Sequence, residues 1–265
     1  MGQSRIPQAN WYDYPEYYDI AFQARTSPEA DFMEAAGRKY CGFEVRRFLE
    51  PACGSGRLIT ELAVRGYQVT GFDVSQPALS YLRRRLTRRR LYADTFAAEM
   101  SDFRVGRSAD VAYCLINTFR HLLIEQAACA HLECIARSLR PGGIYVLGMD
   151  LLPLPADRRE SERWTRKRGK TKVTVTQRVL RKDLRRRIEH RQVSLVARRG
   201  WKELRLRSEF QLRTYTPRQF RRLLASVPSL ELCDVYDFRY DIDQPLVLND
   251  KITYGVFVLR RRLLS

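Results

Sequence analysis

Residues 48–63, FLEPACGSGRLITELA, constrain the fold of this chain more than any other stretch. A short apolar segment ends at an acid, Glu50; a turn of small residues with two glycines follows, and a helical pattern begins at Arg57. A strand, a small-residue turn and a helix together form the ligand-binding corner of doubly wound sheets, at the carboxyl ends of the strands. Glycines let the backbone approach a ligand, and the N–H groups at the helix start face it. The stretch therefore predicts a site for a dinucleotide, a nucleoside triphosphate or another nucleoside-bearing cofactor.

Strand-like and helix-like segments alternate around this stretch, from Glu44 to Asp150 and again near the end of the chain. Strands are predicted at 45–50, 68–73, 91–93, 111–116, 144–147, 230–235 and 252–260, and helices at 57–65, after Ser75, at 125–139 and at 218–226. Alternation of this kind implies βαβ units and a parallel sheet. We predict an α/β fold with a doubly wound, Rossmann-like, mostly parallel seven-stranded sheet.

The pattern changes after Asp150. LLPLPADRR is typical of a linker, and three segments within 173–213 then alternate apolar with charged residues. Such alternation is typical of an antiparallel sheet with one apolar face. We therefore predict an inserted three-stranded antiparallel sheet at 156–213. It interrupts a core formed by 44–155 and 214–265, and residues 1–43 form a separate N-terminal segment.

Charge is concentrated in and just after the predicted insertion. The chain has a net charge of +18, and residues 156–225 contain 24 Lys and Arg against 7 Asp and Glu. This excess favours an anionic partner, but arginines that only solvate exposed strands would give the same count.

Six scattered cysteines without a CxxC pair favour buried thiols over a disulfide frame or a metal site. The apolar runs are too short to span a bilayer, and the start of the chain lacks an apolar signal segment. We predict a cytoplasmic protein that binds no membrane and no metal.

The residues of the turn separate the three ligand classes. A P-loop requires GxxxxGK[ST], and no such lysine follows Gly56; a dinucleotide turn requires a third small residue where Ile59 stands. In addition, the carboxylate of Glu50 would repel a pyrophosphate. A carboxylate at this position favours a cationic ligand without phosphate, and S-adenosylmethionine has both a sulfonium and an ammonium group.

At this point the chain resembles the class I S-adenosylmethionine-dependent methyltransferases, from about Trp11 to Arg260. Their first motif is an acid followed by a glycine-rich turn, and Ala52 departs from it where a glycine is commonest. The resemblance implies that Asp73 accepts both ribose hydroxyls and that Glu99 faces the adenine amino group. It also implies that residues 1–43, which contain the tyrosine-rich stretch WYDYPEYYD, form a helical segment that caps the cofactor. The cofactor-binding residues implied by the resemblance are Tyr18, Glu50, Ala52, Gly54, Gly56, Asp73, Val74, Glu99, Met100 and Asn117.

The segment CLINTFRHL resembles the family's fourth-strand motif, in which Asn117 would line the methyl-transfer centre. His121 is the candidate general base there, because an unperturbed imidazole titrates near neutral pH. Simpler interpretations stay open: Asn117 as a turn residue and His121 as a hydrogen-bonded helix-start histidine. Tyr17, Arg120, His121 and Trp164 are the candidate substrate contacts.

The methyl acceptor is constrained mainly by what the sequence lacks. Nucleic-acid base methyltransferases resemble one another in an Asn/Asp-Pro-Pro-Tyr/Phe segment, but here the residues after Asn117 are Thr-Phe-Arg, without proline. An inserted sheet resembles the lid of small-molecule methyltransferases. We predict methyl transfer by in-line displacement to a small, anionic or amphipathic acceptor. An RNA-directed methyltransferase and a non-catalytic cofactor-binding module are the alternatives, and the oligomeric state stays open.

Overall fold

A seven-stranded sheet forms the centre of the protein in the computed structural model, which describes residues 7–152 and 161–263. Its strands are β1 (Arg47–Pro51), β2 (Gln68–Asp73), β3 (Asp94–Ala97), β4 (Ala109–Cys114), β5 (Leu139–Asp150), β10 (Leu230–Tyr236) and β11 (Tyr254–Arg261). They lie in the order β10-β11-β5-β4-β1-β2-β3. Strands β1 to β5 are mutually parallel, while β11 is antiparallel to β5 and β10 antiparallel to β11. The predicted doubly wound, mostly parallel fold is confirmed.

Helices follow most of these strands. Within the described ranges they are α1 (Pro15–Phe22), α2 (Thr26–Tyr40), α3 (Arg57–Val64), α4 (Gln76–Arg89), α5 (Glu125–Ser138) and α6 (Pro217–Ala225). Local capping chemistry fixes where two of them begin. The Ser75 hydroxyl accepts a hydrogen bond from the amide of Ala78 at the start of α4. Thr216 and Gln219 form a reciprocal capping box at the start of α6.

Apolar side chains cover both faces of the central sheet. All six residues of β4 are buried, as expected for a central strand between two helix layers. One core cluster packs Leu49, Leu147 and Phe220, and the other packs Phe48, Ile59 and Val146. These buried contacts fix the carboxyl ends of β1, β2 and β4 relative to one another, which is where the candidate site lies.

A second, antiparallel sheet lies between β5 and α6. Among residues 161–263 it has four strands in the order of the chain. These are β6 (Ser161–Arg168), β7 (Thr171–Asp183), β8 (Ile188–Arg199) and β9 (Lys202–Arg213). The prediction of three strands was therefore wrong by one. The strand β6, SERWTRKR, contains a single large apolar residue, Trp164, so it lacks the alternation that marked the other three.

The apolar face of this inserted sheet packs on the N-terminal segment. Val173, Val193 and Leu195 contact a cluster that includes Trp11 and Phe22. The helix α1 is thereby held between the inserted sheet and α4, because its buried Asp19 pairs with Arg168 of the inserted sheet and with Arg85 of α4. The division of the chain into capping segment, core and insertion remains a prediction. Residues 1–6 and the predicted linker and insertion start within 153–160 lie outside the described residues.

No helix in the described part of the chain is long and apolar enough to cross a membrane. The predicted cytoplasmic location stays a prediction. Within residues 7–152 and 161–263, no group of three His, Cys, Asp or Glu side chains is placed to hold a metal ion.

Candidate active site

A cavity of about 310 Å³ lies against the glycine turn and is called the turn cavity below. The predicted site residues that line it come from five separate parts of the sequence: Tyr18, Glu50, Ala52, Gly54, Asp73, Val74, Glu99, Met100 and His121. The structure therefore brings together the ends of β1, β2 and β3 with a helix of the N-terminal segment. Of the predicted cofactor residues, Gly56 and Asn117 do not line this cavity.

The glycine turn needs small residues for two different reasons. Gly54 and Gly56 both have positive φ, of 52° and 65°, and Ala52 has a φ of 50°. A Cβ at Gly56 would lie 2.1 Å from a methyl carbon of Leu82, so this glycine is required by packing between α3 and α4. A Cβ at Gly54 would have no neighbour within 4 Å. Ala52 adopts a left-handed conformation that favours glycine, at a cost of about 1–2 kcal/mol.

Two carboxyl groups stand at neighbouring strand ends in the turn cavity. The Tyr113 hydroxyl donates to Glu50 Oε2 at 3.1 Å. Asp73 accepts from the amide of Gly54 at 2.7 Å through Oδ2 and from the amide of Ser75 at 2.8 Å through Oδ1. Burial raises the pKa of Glu50 to about 8. Burial also raises the pKa of Asp73, while the two backbone amides oppose that rise.

An apolar wall and a short polar segment complete the turn cavity. Val74 is 59% exposed although it is a large apolar residue, and it lines the cavity directly after Asp73. Glu99 and Met100 follow β3 and line the same cavity. The backbone carbonyl of Met100 lies 2.9 Å from Nδ1 of the buried His131, which fixes the path of this segment. A planar, apolar ligand group would cover Val74 here.

Arg57 and Tyr12 are among the residues of the turn cavity that sequence reasoning missed. Arg57 is the first residue of α3, and its guanidinium pairs with the fully buried Glu29 and donates to the Thr26 hydroxyl at 3.2 Å. An arginine directly after the GxG turn was the available signal for Arg57. Tyr12 belongs to the tyrosine-rich segment 11–19, but nothing in the spacing of those tyrosines shows which of them face the cavity.

A second cavity, of about 580 Å³, lies beneath the inserted sheet and is called the lid cavity below. Four residues line both cavities and mark their junction: Tyr12, Tyr18, Ile116 and His121. The lid cavity also has an aromatic wall that includes Trp11, Phe22, Trp164, Phe210, Phe238 and Tyr254. The two cavities therefore share a boundary, and a ligand in one can contact a ligand in the other.

At the junction the Tyr12 hydroxyl lies 2.9 Å from Nε2 of His121. Burial, assisted by the nearby Arg120 guanidinium, lowers the pKa of His121 to about 4. Burial also raises the pKa of Tyr12. Both side chains are therefore neutral at pH 7, and the Tyr12 hydroxyl can donate a hydrogen bond to Nε2 of His121. His121 lies at the junction of the two cavities, and its low pKa makes it a weak base.

Asn117 and Asp150 form the wall of the lid cavity next to this junction. The Asn117 amide nitrogen donates to Asp150 Oδ2 at 3.0 Å, and the Asp150 backbone amide donates to Asn117 Oδ1 at 2.8 Å. The predicted contact of Asn117 with the cofactor is not seen in the lining of the turn cavity, because the side chain turns toward β5. Asp150, at the end of β5, was not recognised from the sequence.

Of the other predicted substrate contacts, one lines a cavity and two do not. Trp164 lines the lid cavity, and its indole N–H donates to the carbonyl of Ala21 at 3.1 Å. Tyr17 and Arg120 line neither cavity. Tyr17 points away from the junction and stacks against Tyr14 at 6.4 Å between ring centroids. Arg120 is fully buried, and its guanidinium is bonded to the acids and carbonyl groups around it. The prediction that Tyr17 and Arg120 contact the substrate is therefore corrected.

The lid cavity is asymmetric in charge. Arg25, Arg163 and Arg166 line it, and in the described part of the chain none of the three forms an ion pair within 4 Å. Most other arginines of the insertion are paired, such as Arg187 and Arg213 with Glu125. The lining also contains Arg191 and two acids, Asp150 and Glu162, so basic side chains outnumber acidic ones by four to two. This excess of positive charge favours a ligand that carries an anionic group.

The core of the chain matches a known protein family. Residues 48–143 match the family described as "Methyltransferase domain". This segment contains the glycine turn, both strand-end acids and His121. The whole N-terminal segment and the whole inserted sheet lie outside it.

Relatives and solved structures extend the likeness. The chain is 28% identical over 145 residues to the dTDP-3-amino-3,6-dideoxy-alpha-D-glucopyranose N,N-dimethyltransferase of Streptomyces fradiae, covering 53% of this chain and 55% of that one. It is 26% identical over 142 residues to the corresponding 3,4,6-trideoxy enzyme of Streptomyces venezuelae, covering 51% and 56%. The matches thus span about half the length of these curated relatives.

Across nearly the whole chain the fold resembles an S-adenosylmethionine-dependent methyltransferase from Clostridium acetobutylicum, with 15% identity, 95% and 99% coverage and a TM-score of 0.77. It also resembles the sugar N-methyltransferase KedS8 from Streptoalloteichus, with 19% identity, 99% and 96% coverage and a TM-score of 0.70. The inserted sheet is part of this shared architecture, because both matches cover almost the entire chain.

Proposed function

Because residues 48–143 are a methyltransferase domain and the whole chain has the fold of the class I S-adenosylmethionine-dependent methyltransferases, we propose that the protein transfers a methyl group from S-adenosylmethionine to a small amine acceptor. The observation that carries this proposal is the junction of two adjoining cavities. The turn cavity has the acids expected for a cationic nucleoside ligand, and the lid cavity has room for a second small molecule.

The residues of the turn cavity suit S-adenosylmethionine. Glu50 would stand near its positive charge, and the Asp73 carboxylate, fixed by two backbone amides, would take the ribose hydroxyls. Val74 would be covered by the adenine ring and Glu99 would accept from its amino group. Arg57, held by Glu29, would pair with the ligand carboxylate. When bound, the cofactor supplies an electrophilic methyl group on its sulfonium sulfur.

We propose that the acceptor lies in the lid cavity and carries an anionic group. Arg25, Arg163 and Arg166 would bind a phosphate or carboxylate, and the aromatic wall would cover an uncharged ring. Two relatives are named for dimethylating the amino group of dTDP-linked deoxysugars, which combine an amine, a ring and a diphosphate. A nucleotide-linked amino sugar therefore fits the features of this cavity.

The chain would act mainly by alignment and by excluding water. The junction residues Tyr12, Tyr18 and His121 would hold the acceptor nitrogen in line with the methyl group, which lowers the entropic part of the barrier. An amine must be neutral to attack. His121 is neutral at pH 7 and adds no positive charge beside the amine, and Asp150 offers a carboxylate near the place where the proton is lost. No covalent intermediate with the protein is needed.

Two linked measurements test the proposal. Thermal-shift titration with S-adenosylmethionine and S-adenosylhomocysteine should raise the melting temperature by mass action, and the shift should vanish in Glu50→Ala and in Asp73→Ala. Incubation with S-adenosylmethionine and dTDP-3-amino-3,6-dideoxy-α-D-glucopyranose should then give methylated sugar nucleotide by mass spectrometry. Binding of the cofactor without methylation of any amine offered would favour the non-catalytic module. Cofactor-dependent methylation of RNA, with none of the sugar, would favour the RNA-directed alternative.

A further inference from the structure

A cluster of four charged side chains joins the inserted sheet to the central sheet and is called the bridging cluster below. It consists of Arg120, Asp150, Glu189 and Arg191, and each of these side chains is at most 10% exposed. Arg120 Nη2 donates to Glu189 Oε2 at 2.9 Å, and Arg120 Nη1 lies 3.5 Å from Asp150 Oδ2. Arg191 pairs with Glu189 and lies 3.8 Å from Asp150 Oδ2. Two positive and two negative groups thus balance.

The bridging cluster connects parts of the chain that are far apart in sequence. Glu189 and Arg191 belong to β8 of the inserted sheet, while Asp150 ends β5 of the central sheet. Arg120 donates through Nε to the carbonyl of Arg213 in β9 at 2.8 Å and through Nη1 to Asn117 Oδ1 at 3.1 Å. A single guanidinium therefore contacts both sheets and the residue that holds Asp150.

The members of the cluster differ in their access to the acceptor site. Asp150 and Arg191 line the lid cavity, whereas Arg120 and Glu189 line neither cavity. Buried charges must stay paired, because removing one partner leaves the other without compensation. Loss of the Glu189 carboxylate would therefore release both arginines. Their remaining acidic partner within the cluster is Asp150, so its carboxylate would be drawn toward them and away from its present geometry with Asn117.

We propose that Arg120 and Glu189 are positioning residues. Through them the inserted sheet sets the geometry of Asp150 and Asn117 at the wall of the lid cavity, and so sets acceptor affinity without contacting the acceptor. This inference rests on the proposed function, because it takes the lid cavity as the acceptor site. It gives the inserted sheet a second role besides covering the cavity.

The chain offers a matched control for this role. Glu125 at the start of α5 pairs with Arg187 and Arg213, so it also ties the inserted sheet to the core by two arginines. None of these three residues lines either cavity, and within the described residues no hydrogen bond or ion pair joins any of them to Asn117 or Asp150. A general loosening of the inserted sheet would follow from either substitution, but a change at the acceptor wall should follow only from Glu189→Gln.

The test compares Glu189→Gln with Glu125→Gln in the full-length protein. With dTDP-3-amino-3,6-dideoxy-α-D-glucopyranose as the probe, Glu189→Gln should raise the acceptor KM by about tenfold, the size typical of coupling through packed networks. The thermal shift given by S-adenosylhomocysteine should change far less. Glu125→Gln should leave the acceptor KM unchanged. Should Glu189→Gln fail to fold, Glu189→Asp, which keeps the charge on a shorter side chain, carries the same comparison with a smaller rise in KM.

A second readout does not depend on the acceptor. The Asp150 amide donates to Asn117 Oδ1, so its hydrogen exchange reports on the geometry that the bridging cluster maintains. Exchange at Asp150 should accelerate in Glu189→Gln and not in Glu125→Gln. Equal effects of both substitutions on exchange, or on KM, overturn the inference. If the wild-type protein methylates no amino sugar, the proposed acceptor class fails, and the exchange comparison alone then decides the positioning role.

Discussion

Protonation of Glu50 should make cofactor binding depend on pH. Burial raises the pKa of this carboxyl to about 8 in the unliganded protein. At pH 7 most molecules would therefore carry a neutral Glu50, which must lose its proton before it can stabilise a cationic ligand. If only the ionised form binds, the affinity falls about tenfold for each pH unit below 8, because one pKa unit corresponds to about 1.4 kcal/mol.

Isothermal titration with S-adenosylhomocysteine can measure this linkage directly. At pH 7, in buffers of different ionisation enthalpy, binding to the wild-type protein should release close to one proton. The Glu50→Gln variant should bind more weakly and release none from this position, so the difference between the proteins removes the titration of the ligand's own amino group. Absence of proton release from the wild-type protein, together with equal pH dependence in both proteins, would refute the reasoning about Glu50.

The same carboxyl should also affect stability without ligand. Its folded-state pKa lies above its ordinary value of 4.5, so its stabilising contribution is complete below pH 4.5 and is lost as the pH rises through 8. Full burial would make the loss about 4 kcal/mol at pH 8, but Glu50 is only half-buried and faces the turn cavity, so we expect about 2 kcal/mol. The melting temperature of Glu50→Gln, relative to that of the wild type, should therefore rise by about 5 °C between pH 6 and pH 9.

Three other predictions test the rest of the site. Asp73→Asn should weaken cofactor binding at least tenfold with a small change in melting temperature, measured by titration calorimetry, because a charged acceptor is lost while a neutral one remains. Gly56→Ala should destabilise the protein by more than 2 kcal/mol in urea unfolding, because a Cβ meets Leu82 at 2.1 Å, whereas Gly54→Ala should cost about 1–2 kcal/mol through its positive φ alone. The pH–rate profile of methylation should show no step from His121 between pH 5 and 8, since its pKa is about 4, and His121→Asn should leave the shape of that profile unchanged.

The core of the fold could be predicted because its signals are local. The acid and small-residue turn at Glu50 and Gly54, the cap at Ser75 and the apolar central strands each specify their own structure. The third strand was predicted near 91–93 but lies at Asp94–Ala97, since a short edge strand has little apolar pattern. The predicted strand at 144–147 is the buried middle of β5, whose ends are held by pairing with β4 and β11 rather than by local residues.

The candidate acceptor site could be predicted only in outline. Trp164 and His121, predicted as substrate contacts, both line the lid cavity. Asp150 was missed, because the partners that hold its carboxylate lie far from it in the sequence. Arg120 was predicted to contact the substrate because it is close to Asn117 in the sequence. The sequence does not reveal that its guanidinium already donates to Glu189 and to the carbonyl of Arg213. Tyr12 lines both cavities and Tyr17 lines neither, but the sequence pattern of the N-terminal segment does not distinguish them.

The boundary of the matched segment explains which properties can be carried over from relatives. Of the 25 residues that line the turn cavity, 21 lie within 48–143, the part that matches the methyltransferase domain. Of the 21 residues that line the lid cavity, only Ile116, Asn117 and His121 lie within it. Similarity confined to this segment therefore supports the identity of the cofactor but gives little information on the acceptor. If the lid cavity binds the acceptor, as we propose, the acceptor would be selected by the N-terminal segment, the end of β5, the inserted sheet and the strand region after α6. Substitutions there should then change the acceptor while cofactor binding persists.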